Sequence, residues 1–402
     1  MIIYRPQINE EGGEIFVSAK IETQDPKIQL PEKIWFNFPR SCKEYITDRA
    51  DAFVVAMLPV AMSLNEDIEV QGRVSPRLAY GIEEYQHIQN GWWPKKFKII
   101  NVNYNELKNT SEIENKGAVG CSFSGGIDSF YSLWKHMPKK EKIKESRITH
   151  CLMINGFDKD VDLNNTGFFK KIQEIYEPMM QSLGIELLIV RTNLQKIRHA
   201  SIEGSNLTKS FVTFLTTPAM VLGRLFSRFY IPSSYSYGNL IPEGSHPLVD
   251  HLFSTESMET IHDGADASRV EKTEILSQWP ETYSRLRVCW ARQTKFNEKT
   301  GYIENCCRCE KCIRTMIALE LVGALRNYIT FPIPLKRRYI WQTFFGTKGS
   351  FIFAKENLKL AIKKGRKDIT LDICYAMLQS RAIKSFGISD YVYSLIHRKN
   401  EI

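Results

Sequence analysis

The chain holds 402 residues, 43% hydrophobic and 25% charged, with a net charge of +9. That length exceeds one average core, so two or three domains are expected, in the composition range of ordinary globular proteins. The longest apolar run, residues 52–64, carries Pro59 and is too short for a bilayer, and Met1-Ile-Ile-Tyr-Arg-Pro lacks the layout of a signal peptide; a cytoplasmic protein without a membrane partner is expected. The positive sign suits a nucleotide and also nucleic acid, and does not choose between them.

In chain order, Glu14-Ile-Phe-Val-Ser and Lys33-Ile-Trp-Phe-Asn-Phe read as strands between Pro, Gly and Asn punctuation. Residues 48–64 read as a helix, Ile68-Glu-Val-Gln-Gly-Arg-Val as a strand, and Lys96-Phe-Lys-Ile-Ile-Asn-Val as a closing strand. A polar linker follows at 105–116. Residues 1–112 are thus expected to form a β-rich α+β accessory domain. From Gly117 the pattern alternates: strand 118–122, helix 128–137, strand 148–154, helix 166–183, strand 186–191, helix 207–228 with a possible kink at Pro218, and strand 229–232. This order predicts a doubly wound parallel α/β sheet in a domain over 113–325. Ligands bind such sheets at strand carboxyl ends, here the segments starting at Ser122, Asn155, Thr192 and Ser233. Residues 326–402 read as a helical C-terminal extension without a motif.

Ser122-Phe-Ser-Gly-Gly-Ile-Asp-Ser joins a strand to a helix. Gly125 and Gly126 let the backbone curl and aim N–H groups at an anion. Ser122, Ser124 and Ser129 add hydroxyls, and the helix near Asp128 brings its positive end. The Walker spacing and its Lys are missing. The segment resembles the PP-loop signature, Ser-Gly-Gly-x-Asp-Ser, of the N-type ATP pyrophosphatases. That resemblance implies ATP bound with Mg²⁺, attack on its α-phosphate, and an adenylated product with release of pyrophosphate. With no Lys in the loop, positive charge must come from elsewhere. Arg269 and Lys272, which begin a helix, are the candidates; the alternative is that they are solvated helix charges.

Five of nine cysteines lie between Cys289 and Cys312. Cys306, Cys309 and Cys312 repeat a two-residue spacer, and Cys289 supplies a fourth thiolate for a tetrahedral zinc site. Redox use is the competing reading. Cys307 is expected to pack as a small buried hydrophobe.

A PP-loop followed by Cys…Cys-x-x-Cys-x-x-Cys resembles the QueC family, the 7-cyano-7-deazaguanine synthases, over roughly residues 117–325. The resemblance implies a PP-loop (HUP-like) fold with a structural zinc beside the substrate pocket. It also implies adenylation of the carboxylate of 7-carboxy-7-deazaguanine, with ammonia giving amide and then nitrile. Ser124, Gly125, Gly126, Asp128 and Ser129 then bind phosphates, Ser124, Asp128 and Lys272 act in catalysis, and Cys289, Cys306, Cys309 and Cys312 hold zinc. Asn155 and Arg269 are further nucleotide candidates. Cys307 stands where the family has Gly, and Gly238-Asn-Leu-Ile-Pro-Glu-Gly-Ser-His-Pro-Leu-Val-Asp replaces its Gly-Tyr-Pro-Asp-Cys-Arg segment. Chains enlarged at both ends resemble the QueC-like proteins of anti-phage systems, the type IV CBASS and Qat operons. There a protein amine is the expected acceptor, bound through 1–112 or 326–402.

Gly244, Ser245, His246 and Asp250 are expected to touch substrate, with a second metal site or plain loop structure as alternatives; Ser233, Ser234, Glu243 and His262-Asp263-Gly264 are open in the same way. Asp158-Lys-Asp-Val-Asp-Leu-Asn lacks the Gly and final Glu of a calcium loop. Lys336-Arg-Arg-Tyr-Ile-Trp and Lys363-Lys-Gly-Arg-Lys read as solvated faces or as a surface for nucleic acid or a partner. An acyl-adenylate needs no Ser-His-Asp triad, because a carboxylate is already nucleophilic. Two other readings remain: a tRNA-modifying PP-loop enzyme, and a non-catalytic nucleotide sensor in a defence complex.

Overall fold

Alternation of apolar and polar residues builds the first strands. The computed structural model describes all residues except 25–27, 29, 112, 157–166, 199–206, 290–293 and 386–402. Strands β1 (Ile2–Ile3), β2 (Gln7–Glu11), β3 (Glu14–Glu22) and β4 (Lys33–Pro39) come first. In β3 the side chains of Ile15, Val17, Ala19 and Ile21 are all buried, the period of two that a one-faced strand requires. Helix α1 (Asp51–Leu64) is apolar on nearly every side and accordingly buried. Strand β5 (Ile68–Val74), helix α2 (Pro76–Trp92) and strand β6 (Val102–Leu107) follow.

The α/β alternation continues with β7 (Ala118–Ser122), α3 (Ile127–His136), β8 (His150–Asn155), α4 (Gly167–Ser182), β9 (Glu186–Thr192), α5 (Leu194–Arg198), α6 (Phe211–Val221), β10 (Phe226–Pro232) and β11 (Glu259–Asp263). These eleven strands form one sheet in the order β11-β10-β7-β8-β9-β4-β3-β1-β5-β6, with β2 on β3. Strands β11 to β9 run parallel. Strand β4 joins β9 antiparallel, Phe36 opposite Thr192, so the strands before residue 112 share the sheet of those after it. Because β8 and β9 lie to one side of β7, and β10 and β11 to the other, the winding reverses between β7 and β10. Crevices at such reversals are where open α/β sheets take ligands.

The chain divides into two compact units. Residues 1–124, 132–233 and 242–263 make the first, which contains the large sheet; 125–131, 234–241 and 264–402 make the second. These units cut across the boundaries near 112 and 325 that composition suggests. The second unit contains α7 (Arg269–Leu276), a hairpin of β12 (Lys295–Asn297) and β13 (Tyr302–Glu304), α8 (Glu310–Leu321), α9 (Arg337–Trp341), α10 (Lys348–Lys363) and α11 (Lys367–Ser385). Its core gathers Val270, Ile313, Ile317, Ile340, Phe345 and Ile373. Helix α7 opens on a capping box, with Ser268 and Glu271 each bonding the other's backbone. No helix among the described residues is long and apolar enough to cross a membrane.

Several expected elements move. The helix expected over 207–228 stops at Val221, and β10 starts at Phe226, three residues before the expected strand. Gly223 lies between them, and Phe226 and Phe229 fill the sheet core. The strand expected at 96–102 is displaced to β6, which takes in the start of the expected linker. The calcium-like sequence lies outside the described residues.

Candidate functional site

The glycine loop begins with a backbone demand. Gly125 has φ +74° and is buried, a conformation that strains any side chain. The Gly126 carbonyl accepts from Phe130 N at 2.9 Å and from Ser129 Oγ at 3.1 Å, winding the first turn of α3 directly after the glycines. Ser122 ends β7 half-buried, and Ser124 is exposed.

Asp128, on that first turn, gathers the cations of the second unit. Arg269 Nη1 lies 2.6 Å from its Oδ2, Lys272 Nζ 3.7 Å from its Oδ1, and Ser234 Oγ donates to Oδ2 at 3.1 Å. Lys272 is 0% and Arg269 9% exposed. Burial pushes the Asp128 carboxyl up, but the charges of Arg269, Lys272 and Arg314, with the Ser234 hydroxyl, outweigh it and hold the group below its ordinary value. The two residues expected to bring positive charge to the loop therefore stand at its aspartate, joined by Arg314, for which the sequence carried no signal. The Arg269 and Arg314 guanidinium carbons stand 5.5 and 4.2 Å from the Phe353 ring centre. Phe353 stacks in turn on Tyr235 at 5.2 Å. A cavity of about 10 Å³, lined by Arg269, Thr273, Arg314, Thr315, Phe353 and Asn357, lies beside them. Arg269 Nε, Arg314 Nε and Asn357 Oδ1 are buried with no hydrogen-bond partner, as is Asp128 Oδ1.

The sulfurs of Cys289, Cys306, Cys309 and Cys312 lie within 4.8 Å of one another. Cys289 is 3.4 Å from Cys312 and 3.8 Å from Cys309, and Cys306 is 3.7 Å from Cys312. Four sulfurs placed about 2.3 Å from a single zinc in a tetrahedron stand roughly 3.8 Å apart, so the group could bind a metal such as zinc. Backbone N–H groups aim at the sulfurs: Cys306 N at Cys289 Sγ (3.2 Å) and Cys309 N at Cys306 Sγ (3.3 Å). Hydrogen bonds from Cys289, Cys309 and Cys312 hold the Cys306 thiol well below its ordinary value, while burial pushes Cys312 up. Full ionisation of such a group needs a cation. Asn305, 2% exposed, braces the site: its Oδ1 accepts from Val288 N and Cys289 N, and its Nδ2 donates to the Leu286 and Thr330 carbonyls. Cys307 stays outside the cluster. It is fully buried, its thiol donates to the Asn305 carbonyl at 3.3 Å, and burial pushes it up to about 11. Its φ of +56° is a backbone conformation that favours Gly.

In the first unit, Ser245, His246 and Asp250 come together with His262. Asp250 is fully buried. Ser245 Oγ donates to its Oδ2 at 2.6 Å, His246 N donates to its Oδ1 at 3.0 Å, and His262 Nδ1 lies 2.7 Å from Oδ2. Burial, and then the charge of His262, push the His246 imidazole down against the pull of Asp250. His262 Nε2 is buried with no hydrogen-bond partner. Gly244 is needed for space, since a Cβ there would meet Phe211 Cδ1 at 2.4 Å. Glu243 pairs with Lys209 at 2.9 Å. Asn155 ends β8 at 1% exposure with Oδ1 unpartnered. Asp263 receives Ser132 Oγ at 2.6 Å and faces Lys135 Nζ and His136 Nε2 at 3.1 and 3.0 Å.

No family model matches the chain, and comparison with curated proteins and with solved structures likewise finds no match.

Proposed function

We propose that the chain is an ATP-dependent enzyme of the QueC-like, PP-loop ATP pyrophosphatase type. It adenylates a carboxylate, for which 7-carboxy-7-deazaguanine is the leading candidate, releases pyrophosphate, and passes the acyl group to an amine. The observation that carries this reading is the convergence of Arg269 and Lys272 on Asp128, beside the positive-φ Gly125. Adenylation asks little acid–base chemistry of the protein. It asks for alignment of the carboxylate with the α-phosphate and for stabilisation of charge on the leaving pyrophosphate. Buried Lys272 and Arg269 supply that charge, and the loop's backbone supplies N–H donors. Asp128 Oδ1, buried and without a hydrogen bond, is a hard oxygen donor of the kind Mg²⁺ takes. Zinc at the four cysteines would hold structure rather than react. In the first unit, His262 Nε2 and Asn155 Oδ1 are the unpartnered groups that support a role in substrate or nucleotide contact. Incubation with ATP and 7-carboxy-7-deazaguanine, followed by mass spectrometry, tests the reading: adenylate, amide or nitrile is expected. ATP–pyrophosphate exchange absent with every carboxylate tried would sink it.

The acceptor is proposed to be a protein amine. Residues 336–385 hold twelve Lys and Arg and three Asp and Glu, a surplus of nine that equals the net charge of the whole chain. Such a concentration suits an acidic partner. Mass spectrometry of a co-expressed partner should find the deazaguanine acyl mass on an amine. The same charge also favours a second reading, a tRNA-modifying enzyme. Tight tRNA binding that weakens steeply with salt would support that one.

A further inference from the structure

The four-cysteine cluster and the glycine loop are joined inside the second unit by two short arms. The first arm leaves Cys289. Two residues earlier, Arg287 N donates to the Gly125 carbonyl at 2.7 Å, and Asn305 holds the intervening backbone at Val288 and Cys289. The guanidinium of Arg287 is itself buried, with Nε and Nη1 unpartnered. The second arm leaves Cys312. Cys309 caps α8, and its carbonyl accepts from Ile313 N at 2.9 Å. Two residues after Cys312, Arg314 lies against Phe353, the ring that also carries Arg269. Arg269 in turn bonds Asp128 at 2.6 Å. Asn357 Nδ2 donates to the Arg314 carbonyl at 3.1 Å, which fixes that arm to α10.

We infer that Arg287 and Arg314 are positioning residues through which the cysteine-bound metal and the loop's nucleotide promote each other's binding. This inference rests on the reading of the loop as an ATP site. A metal that closes the four thiols into a tetrahedron fixes the backbone at 289 and the first turn of α8. Each lies two residues from a group that shapes the loop: the N–H that holds Gly125, and the guanidinium that shares a ring with Arg269. Without the metal, the first arm keeps its Asn305 hydrogen bonds and the second its Asn357 hydrogen bond, but the link between the two arms through the four thiols is lost. The nucleotide is then bound by a loop whose curl and cation set must be ordered at the moment of binding, which lowers its affinity. Linkage requires the reverse effect to be equal: bound nucleotide must tighten the metal by the same factor.

The test uses the zinc-loaded full chain. Release of zinc to a chromogenic chelator is timed with and without saturating ATP and Mg²⁺, and ATP affinity is measured by calorimetry before and after the metal is stripped. Release slowed roughly tenfold by ATP is expected, together with weaker ATP binding once the metal is stripped. ATP's own weak hold on zinc acts in the opposite direction and cannot mimic the slowing. Arg314→Gln should keep one zinc per chain while its release no longer responds to ATP, and Arg314→Lys should restore part of the response. Should Arg314→Gln fail to fold, the release measurement on the unaltered chain still decides. ATP that binds while zinc release stays unchanged overturns the coupling alone. ATP that fails to bind the zinc-loaded chain overturns the functional reading, and the coupling with it.

Discussion

Asp128 and Asp250 are both withdrawn from solvent, and their surroundings differ in kind. Asp250, in the first unit, takes hydrogen bonds from a hydroxyl and a backbone N–H and faces an imidazole nitrogen. Its partners come from its own loop and from β11, and they occupy both of its oxygens. Asp128, in the second unit, sits among Arg269, Lys272 and Arg314, with one oxygen lacking a hydrogen bond. A buried carboxylate met by local donors completes a loop. One that gathers cations from distant helices concentrates charge where an anion with several oxygens can replace or share it. Asp250's local donors complete its loop, and the cations around Asp128 are what the proposed nucleotide site requires.

The comparison breaks if the two aspartates and their partners respond alike. Asp250→Ala leaves Ser245 Oγ, His246 N and His262 Nδ1 without their acceptor. It should cost about 3–5 kcal/mol of stability by denaturant titration. A fully stable variant would remove the contrast. Lys272→Met should lower the rate of ATP–pyrophosphate exchange by about 10²–10³-fold, on the scale of a lost oxyanion donor, while circular dichroism stays unchanged. Loss of fold rather than rate would make Lys272 a structural cation.

Asp263 sharpens the comparison through pH. Burial pushes its carboxyl up, but His136, Lys135 and Ser132 outweigh it and lower the group from 3.8 to about 2. A carboxyl lowered in the folded state stabilises fully above the unfolded value and loses that contribution as pH falls through the folded one. The loss should run from pH 3.8 down to 2 and amount to about 2 kcal/mol. Asp263→Asn should flatten stability across that window; an unchanged acid limb would refute the assignment. The smallest effect is local: Gly125→Ala, at φ +74°, should cost about 1–2 kcal/mol of strain and weaken ATP binding more than it weakens the fold.

Parts of this architecture were legible because neighbours in the chain encode them. Residues 118–122 are an apolar run closed by a glycine turn, and they form β7 with those bounds. The repeated two-residue spacing of Cys306, Cys309 and Cys312 is a property of one short segment, and it brings their sulfurs together with that of Cys289. Helix α2 was not foreseen, although Ser75 and Pro76 form an N-cap and first-turn pair. Its buried face mixes Leu78, Gly81, Tyr85 and Gln89, which blurs the apolar period that marks a helix. Strand β11 was likewise hidden, since Ile261 is its one apolar residue, with Met258 just before it.

The sequence by itself determined the glycine loop, the cysteine set and the alternation of strands with helices, because each depends on backbone geometry or spacing within a few residues. Tertiary structure alone decided that β4 pairs with β9, extending a five-stranded parallel run into an eleven-stranded sheet. It also decided that Arg269, 141 positions from Asp128, bonds to it, and that Arg314 joins them. Over such separations no local preference operates; what brings the groups together is the packing of α7, α8 and α10 into one core, and the charge they must then accommodate.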